Sequence, residues 1–236
     1  MGCILKGGGG LHSRLAVGAV LLAAGEGARM GSRPKSLLEL GGVPLVRRQL
    51  IALSGAGVDE VVVLLGHHAE HIEPVVQDFP VSVVRNPQPE NGQVSSLRIG
   101  LAALAGKLDA VLVALADQPL IHAQDLNDLI GAYKKRPAGT QVVVPTVDGL
   151  PGNPVIFSAE VKEAVLSGDA RLGCKQWQAQ HPEAVHRWAT SNRRYRTDVD
   201  TEEDIARLAA ETGHRLRWSA PWAEATLSPQ TVSGRA

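Results

Sequence analysis

The sequence predicts a single α/β domain organised as a doubly wound, mostly parallel sheet, with a small mixed β part towards its C-terminal end. Three observations carry this. Residues 15–23 form a continuous apolar run, as a strand buried on both faces requires. Further apolar runs at residues 60–65, 81–85 and 109–116 alternate with stretches of helical pattern. The connections are short, so four βα repeats place parallel strands side by side with helices on both faces of the sheet.

Taken in order, the first strand (15–23) leads into a Gly-rich loop and a helix over about residues 44–54, which stops before Gly55 and Gly57. The second strand (60–65) precedes a helix near 69–77, and the third (81–85) precedes one at 95–105 ended by Gly106. The fourth (109–116) precedes a helix at 123–135, and residues 141–145 begin a looser region. There, short extended pieces at 154–157, 185–188 and 195–199 mix with helices near 160–166 and 201–211. No internal repeat or linker divides the chain, so residues 15–215 read as one domain. Residues 1–14 read as a flexible extension. Residues 216–236, whose end mixes Pro, Ser, Thr and Ala without period, read as a mobile tail.

Composition narrows the function. Lys plus Arg equal Asp plus Glu at 24 each, so no global field draws the chain to nucleic acid or an anionic membrane. Any anionic ligand must be held locally. Cys3 and Cys174 are too few for a disulfide scaffold and fit a reducing, cytoplasmic setting, with both thiols incidental or structural. No stretch approaches the ~20 apolar residues of a membrane span. The Met-Gly start resembles a myristoylation site only weakly, because Lys6 stands where Ser or Thr is wanted.

In open parallel sheets ligands bind beyond the carboxyl ends of the strands. The loop after residue 23 is therefore the first candidate. Gly25, Gly27 and Gly31 let backbone N–H groups converge on an anion, and Arg29, Arg33 and Lys35 add cations within seven residues. That combination suits a triphosphate whose pyrophosphate departs. The Walker pattern fails, since Gly31 is followed by Ser32-Arg33-Pro34. The dinucleotide pattern G-x-G-x-x-G fails too, because Gly31 lies four after Gly27 and no ribose-binding acid ends the second strand. A merely tight strand-to-helix turn is the plain alternative.

Asp117 follows the buried fourth strand. A carboxylate beside a triphosphate calls for a divalent cation between them, so Asp117 is either a Mg²⁺ ligand or a turn-forming residue ahead of Pro119. Thr201 with Asp204 reads as a capping box, while Asp198 and Asp200 alternate along an extended piece and share one side of it. Gly92, Ser95 and Ser96 supply small groups and free N–H donors near a helix start, or the serines are N-caps. His67, His68 and His71 lack partners at zinc spacing and read as structural or surface histidines. Trp177, Trp188, Trp218 and Trp222 form no base-stacking pattern and read as packing or tail residues.

The segments Leu22-Ala-Ala-Gly25, Arg29-Met-Gly31 and Lys35-Ser-Leu-Leu38 resemble the signature loop of the molybdenum cofactor cytidylyltransferases and guanylyltransferases. The resemblance covers about residues 15–212. It implies a Rossmann-like nucleotidyltransferase fold and makes Gly25, Arg29, Gly31 and Lys35 triphosphate-binding residues, with Ala23, Ala24 and Gly27 in the same nucleotide loop. Glu26-Gly27 and Arg33-Pro34 depart from the usual pattern and leave the basic positions intact. Arg29, Lys35 and Asp117 become the catalytic set. Asp117 becomes the metal-binding aspartate, with Asp200 and then Asp198 as the second. Gly92, Ser95 and Ser96 fall near the nucleoside. Gly152-Asn153-Pro154 falls beside the acceptor, with Asn153 where the family has His.

The implied reaction is Mg²⁺-dependent transfer of CMP from CTP to the terminal phosphate of molybdenum-bound molybdopterin, with a molybdenum hydroxylase or its accessory protein as a partner. Ala24 favours CTP, since guanylyl members usually have Gly there. The alternatives are a guanylyltransferase, another small-phosphate nucleotidyltransferase acting on a sugar phosphate or methylerythritol phosphate, and a cofactor carrier without nucleotide chemistry.

Overall fold

The computed structural model of the protein describes residues 14–223. Cys3, the extension up to residue 13 and the tail beyond residue 223 lie outside the described residues. The elements are β1 (Val17–Ala23), β2 (Glu39–Leu40), β3 (Val43–Pro44), α1 (Leu45–Gly55), β4 (Glu60–Leu65), α2 (Ala69–Val76) and β5 (Ser82–Arg85). They continue with α3 (Gly92–Ala103), β6 (Ala110–Leu115), α4 (Ala123–Lys134), β7 (Val142–Val147), β8 (Leu150–Pro151), β9 (Val155–Ser158) and α5 (Ala159–Ser167). The last are α6 (Cys174–Gln180), β10 (Val185–Ala189), α7 (Glu202–Thr212) and β11 (Leu216–Arg217).

The main sheet runs β10-β7-β9-β6-β1-β4-β5, with β8 attached to β7. β1 lies between β4 and β6 and pairs in parallel with both, which is why all seven of its residues are buried. Alternate β1 residues feed opposite faces. Ala19, Leu21 and Ala23 pack with Leu50 and Leu53 of α1, Ile72 of α2 and Leu129 and Tyr133 of α4. Val20 and Leu22 pack with Leu97 and Leu101 of α3, Val165 of α5 and Trp177 of α6. This is the doubly wound arrangement expected. β9 runs antiparallel between β6 and β7, and β8 runs antiparallel against β7, so the main sheet is mostly parallel with antiparallel strands in its C-terminal half, and a small antiparallel sheet accompanies it.

Two expectations are corrected. Residues 195–199 are not an extended piece: residues 193–196 make a 3₁₀ turn, and the Val199 backbone N–H donates to Asp117 O at 3.0 Å. The tail does not begin at residue 216. Leu216–Arg217 pairs with β2, which pairs with β3, closing a second, three-stranded antiparallel sheet over Met30, Leu38, Leu45 and Leu208. Trp218 stacks beneath the Arg33 guanidinium at 4.3 Å. The helix α6 was not anticipated; its Trp177 and Cys174 cap the second core. Among the described residues no helix is long and apolar enough to cross a membrane.

Burial pushes the Cys174 thiol up to about 12. Thiolate is the reactive form, so at pH 8 the folded protein is expected to leave Cys174 unalkylated by iodoacetamide and to expose it only on unfolding. Peptide mapping by mass spectrometry with and without guanidinium checks this.

Candidate active site

The chain leaves β1 for β4 and β5 on one side and returns to β6 on the other. The crevice at this reversal, beyond the carboxyl ends of β1 and β6, is where an open α/β sheet binds ligands. A cavity of about 410 Å³ opens there. Ala23, Ala24 and Gly25 from the β1 loop, Lys35, and Asp117 after β6 line one part of it, and Pro89, Gly92 and Ser96 line another.

The loop is built around Gly27. Its φ of 72° is left-handed, and its carbonyl accepts from the N–H groups of Met30 and Ser32 at 2.8 and 3.0 Å. A Cβ there would stand 2.0 Å from Arg33 O, so only glycine closes the loop. The closed loop brings Lys35 to the sheet edge.

Lys35 Nζ lies 2.8 Å from Asp117 Oδ2 and 2.5 Å from Asp200 Oδ1, and Arg29 Nη2 lies 2.7 Å from Asp200 Oδ2. Burial works against the Lys35 charge, but Asp117 and Asp200 outweigh it and hold its pKa above the ordinary lysine value. Desolvation likewise opposes the Asp200 charge, and Lys35 and Arg29 outweigh it to hold that carboxyl below its usual range. Both groups are thus fixed in their ionised forms at neutral pH.

The remaining Asp117 oxygen, Oδ1, is buried without a hydrogen-bond partner. An unpartnered buried carboxylate oxygen is costly unless a cation or donor joins it. Asp117 and Asp200 therefore fit a divalent cation of the magnesium type, held by one or two carboxylates with phosphates and waters completing the shell. Among the described residues no group of three or more His, Cys, Asp or Glu forms a ready-made metal cage.

The other expected residues separate. Gly27, Arg29 and Gly31 shape the loop rather than the cavity wall, and Arg29 reaches the cluster only through Asp200. Arg33 turns away, pairing with Glu202 and stacking on Trp218. Asp198 does not join Asp200 on Lys35. It lines a separate cavity of about 200 Å³ with Arg193, Arg196 and Arg207, because the turn at residues 193–196 replaces the straight strand that would have aligned the two carboxylates. Desolvation, with the nearby Asp117 and Asp200 carboxylates, pushes the Asp198 pKa up. Neither Ser95 nor Ser96 is an N-cap, since α3 starts at Gly92 with Asn91 before it. Ser96 lines the cavity and Ser95 does not.

A profile for the MobA-like NTP transferase domain matches residues 19–185. The chain belongs to the MobA-like NTP transferase family. It is a nucleotidyltransferase. It is similar to nicotine blue oxidoreductase of Paenarthrobacter nicotinovorans, at 33% identity over 81% of this chain and 96% of that protein. It is also similar to the bifunctional protein GlmU of Acetivibrio thermocellus, at 30% identity over 65% of this chain; there the match spans only 34% of the relative's length. Among solved structures, Rv0371c of Mycobacterium tuberculosis superposes with a TM-score of 0.68, at 26% identity over 83% of this chain and 98% of its own. A second structure of Rv0371c, in complex with manganese, matches with a TM-score of 0.62 at 26% identity over 83% and 99% of the two chains.

Within this MobA-like NTP transferase, sequence reasoning missed the residue after Asp117. Gln118 is buried, and its side-chain Nε2 donates to Asn153 O at 3.0 Å and Tyr195 O at 3.2 Å, while its backbone carbonyl accepts from Gln49 Nε2 at 2.5 Å. Asn153 N–H donates to Tyr195 O at 2.7 Å. This buried relay ties Asp117 to the Gly152-Asn153-Pro154 segment, which does not line the main cavity. A polar Gln beside a site Asp was its only trace in the sequence. His67, which reads from the sequence as a structural or surface histidine, is also among the residues that line the cavity.

Proposed function

We propose that this protein is a molybdenum cofactor cytidylyltransferase of the cytoplasm, transferring CMP from CTP to the terminal phosphate of molybdenum-bound molybdopterin with Mg²⁺. The observation that carries the reading is the cavity beyond β1 and β6, lined by a glycine loop and by the Lys35–Asp117 ion pair, one Asp117 oxygen being unpartnered. The β1 loop would cradle the triphosphate with its N–H groups, and Lys35 would neutralise the departing pyrophosphate, with Arg29 beside it. Asp117 and Asp200 would hold the cation, whose charge stabilises that built up on the phosphates. The acceptor phosphate is already an anionic nucleophile, so alignment and charge stabilisation supply the catalysis, with no covalent enzyme intermediate. Gln118 would keep Asp117 in register with Asn153 on the acceptor side.

Ala24 supports cytosine over guanine. Incubation with molybdenum-bound molybdopterin, Mg²⁺ and either CTP or GTP, with products read by mass spectrometry, is expected to yield the cytosine dinucleotide and pyrophosphate. A preference for GTP would refute the CTP assignment, and turnover only with sugar phosphates or methylerythritol phosphate would refute the acceptor.

The Paenarthrobacter relative carries a redox name, which supports a second reading as an oxidoreductase. The failed G-x-G-x-x-G pattern disfavours a nicotinamide cofactor here. Nicotine blue with reduced nicotinamide, followed by absorbance, is the assay that would revive it.

A further inference from the structure

We infer that His67 reads the nucleobase, accepting a hydrogen bond from an exocyclic amino group and so favouring an amino base over its keto counterpart. The inference rests on the reading of the cavity as the nucleotide site.

The tautomer of the neutral ring is set by its neighbour. Ala24 O lies 3.2 Å from His67 Nδ1 and 3.3 Å from the His67 backbone nitrogen. A carbonyl oxygen only accepts, so the ring contact requires the proton on Nδ1. In a neutral imidazole that leaves Nε2 as a bare lone-pair acceptor. Nε2 has no hydrogen-bond partner among the described residues, and His67 is one of the residues that line the cavity.

Position along the wall also fits. Lys35 and Asp117 mark the phosphate end. His67 follows Gly66, which approaches both Ala24 and Pro89 so closely that a Cβ on it would meet each of theirs at 2.8 Å. His67 therefore joins the wall where it passes from the β1 loop to the stretch carrying Pro89, Gly92 and Ser96. There Ser96 Oγ accepts from Asn86 Nδ2 at 3.0 Å, which leaves the serine's own proton free to donate. An acceptor from His67 and a donor from Ser96, both residues of this cavity, are the chemical complements of the 4-amino group and N3 lone pair of cytosine. Uracil inverts both, presenting a carbonyl and an N–H, and would set lone pair against lone pair.

CTP and UTP differ only at this edge, so binding of each to the full chain with Mg²⁺ and no acceptor, measured by calorimetry, isolates the effect. The unsubstituted protein is expected to bind CTP about tenfold or more tightly than UTP. His67→Phe keeps a ring without an acceptor and should bring the ratio close to one, chiefly by weakening CTP. His67→Gln, whose amide can turn either polar atom to the base, should also bring it close to one, and decides the matter if the phenylalanine variant misfolds. A preference for CTP that persists in a folded variant, or equal binding of the two by the unsubstituted protein, would overturn the role of His67. Absence of any nucleotide binding would instead overturn the cavity reading beneath it.

Discussion

Lys35→Ala is expected to fold and to lose about 100-fold or more in turnover with CTP, Mg²⁺ and the molybdopterin acceptor. The ammonium touches both carboxylates and lies on the cavity wall, so it is the cation best placed to meet a leaving pyrophosphate. Arg29 cannot replace it, because its guanidinium is exposed and engaged with Asp200 alone. The same substitution carries a second expected result that needs no substrate. With the ammonium gone, Asp117 loses its ion-pair partner and Asp200 keeps only Arg29, so Mn²⁺ added to the nucleotide-free protein should bind more tightly than to the unsubstituted chain, as read by electron paramagnetic resonance. Near-normal turnover would reject the assignment of Lys35, and unchanged Mn²⁺ affinity would reject its place between two metal-holding carboxylates.

Asp117→Asn should be of similar size. The amide preserves volume and the fold but removes the charge that opposes Lys35, and it gives a buried oxygen already short of partners a weaker claim on a cation. Turnover is expected to fall by about 100-fold or more. Raising the Mg²⁺ concentration should recover part of it if the loss is one of metal affinity. A variant that turns over normally at low Mg²⁺ would remove Asp117 from the metal site.

Much of this protein was legible in its residues. The apolar run that became β1 is buried throughout, and alternating runs and helices fixed the order of layers because local period and turn residues are short-range properties. The capping box of Thr201 with Asp204 formed as read, for the same reason. The glycine loop was legible because a close backbone approach admits no other residue, as the 2.0 Å gap at Gly27 demonstrates. Local pattern misled where tertiary pairing overrode it. Leu216–Arg217 looks like the start of a tail, and is a strand only because β2 offers an edge 176 to 178 positions away along the chain. Arg33 looks like a third phosphate-facing cation, and stacks on Trp218 because that same sheet brings the indole to it.

By itself the sequence determined the doubly wound class, the loop after the first strand and the chemical types gathered around it. Tertiary structure alone decided that Lys35 meets Asp117 and Asp200 while Asp198 goes elsewhere, that Gln118 joins Asp117 to Asn153, and that His67 enters the wall. The reason is range. Periodicity and turn chemistry act over a few residues, whereas the ordering of strands brings together groups separated by 82 and 165 positions, and no short window of sequence records which strands become neighbours.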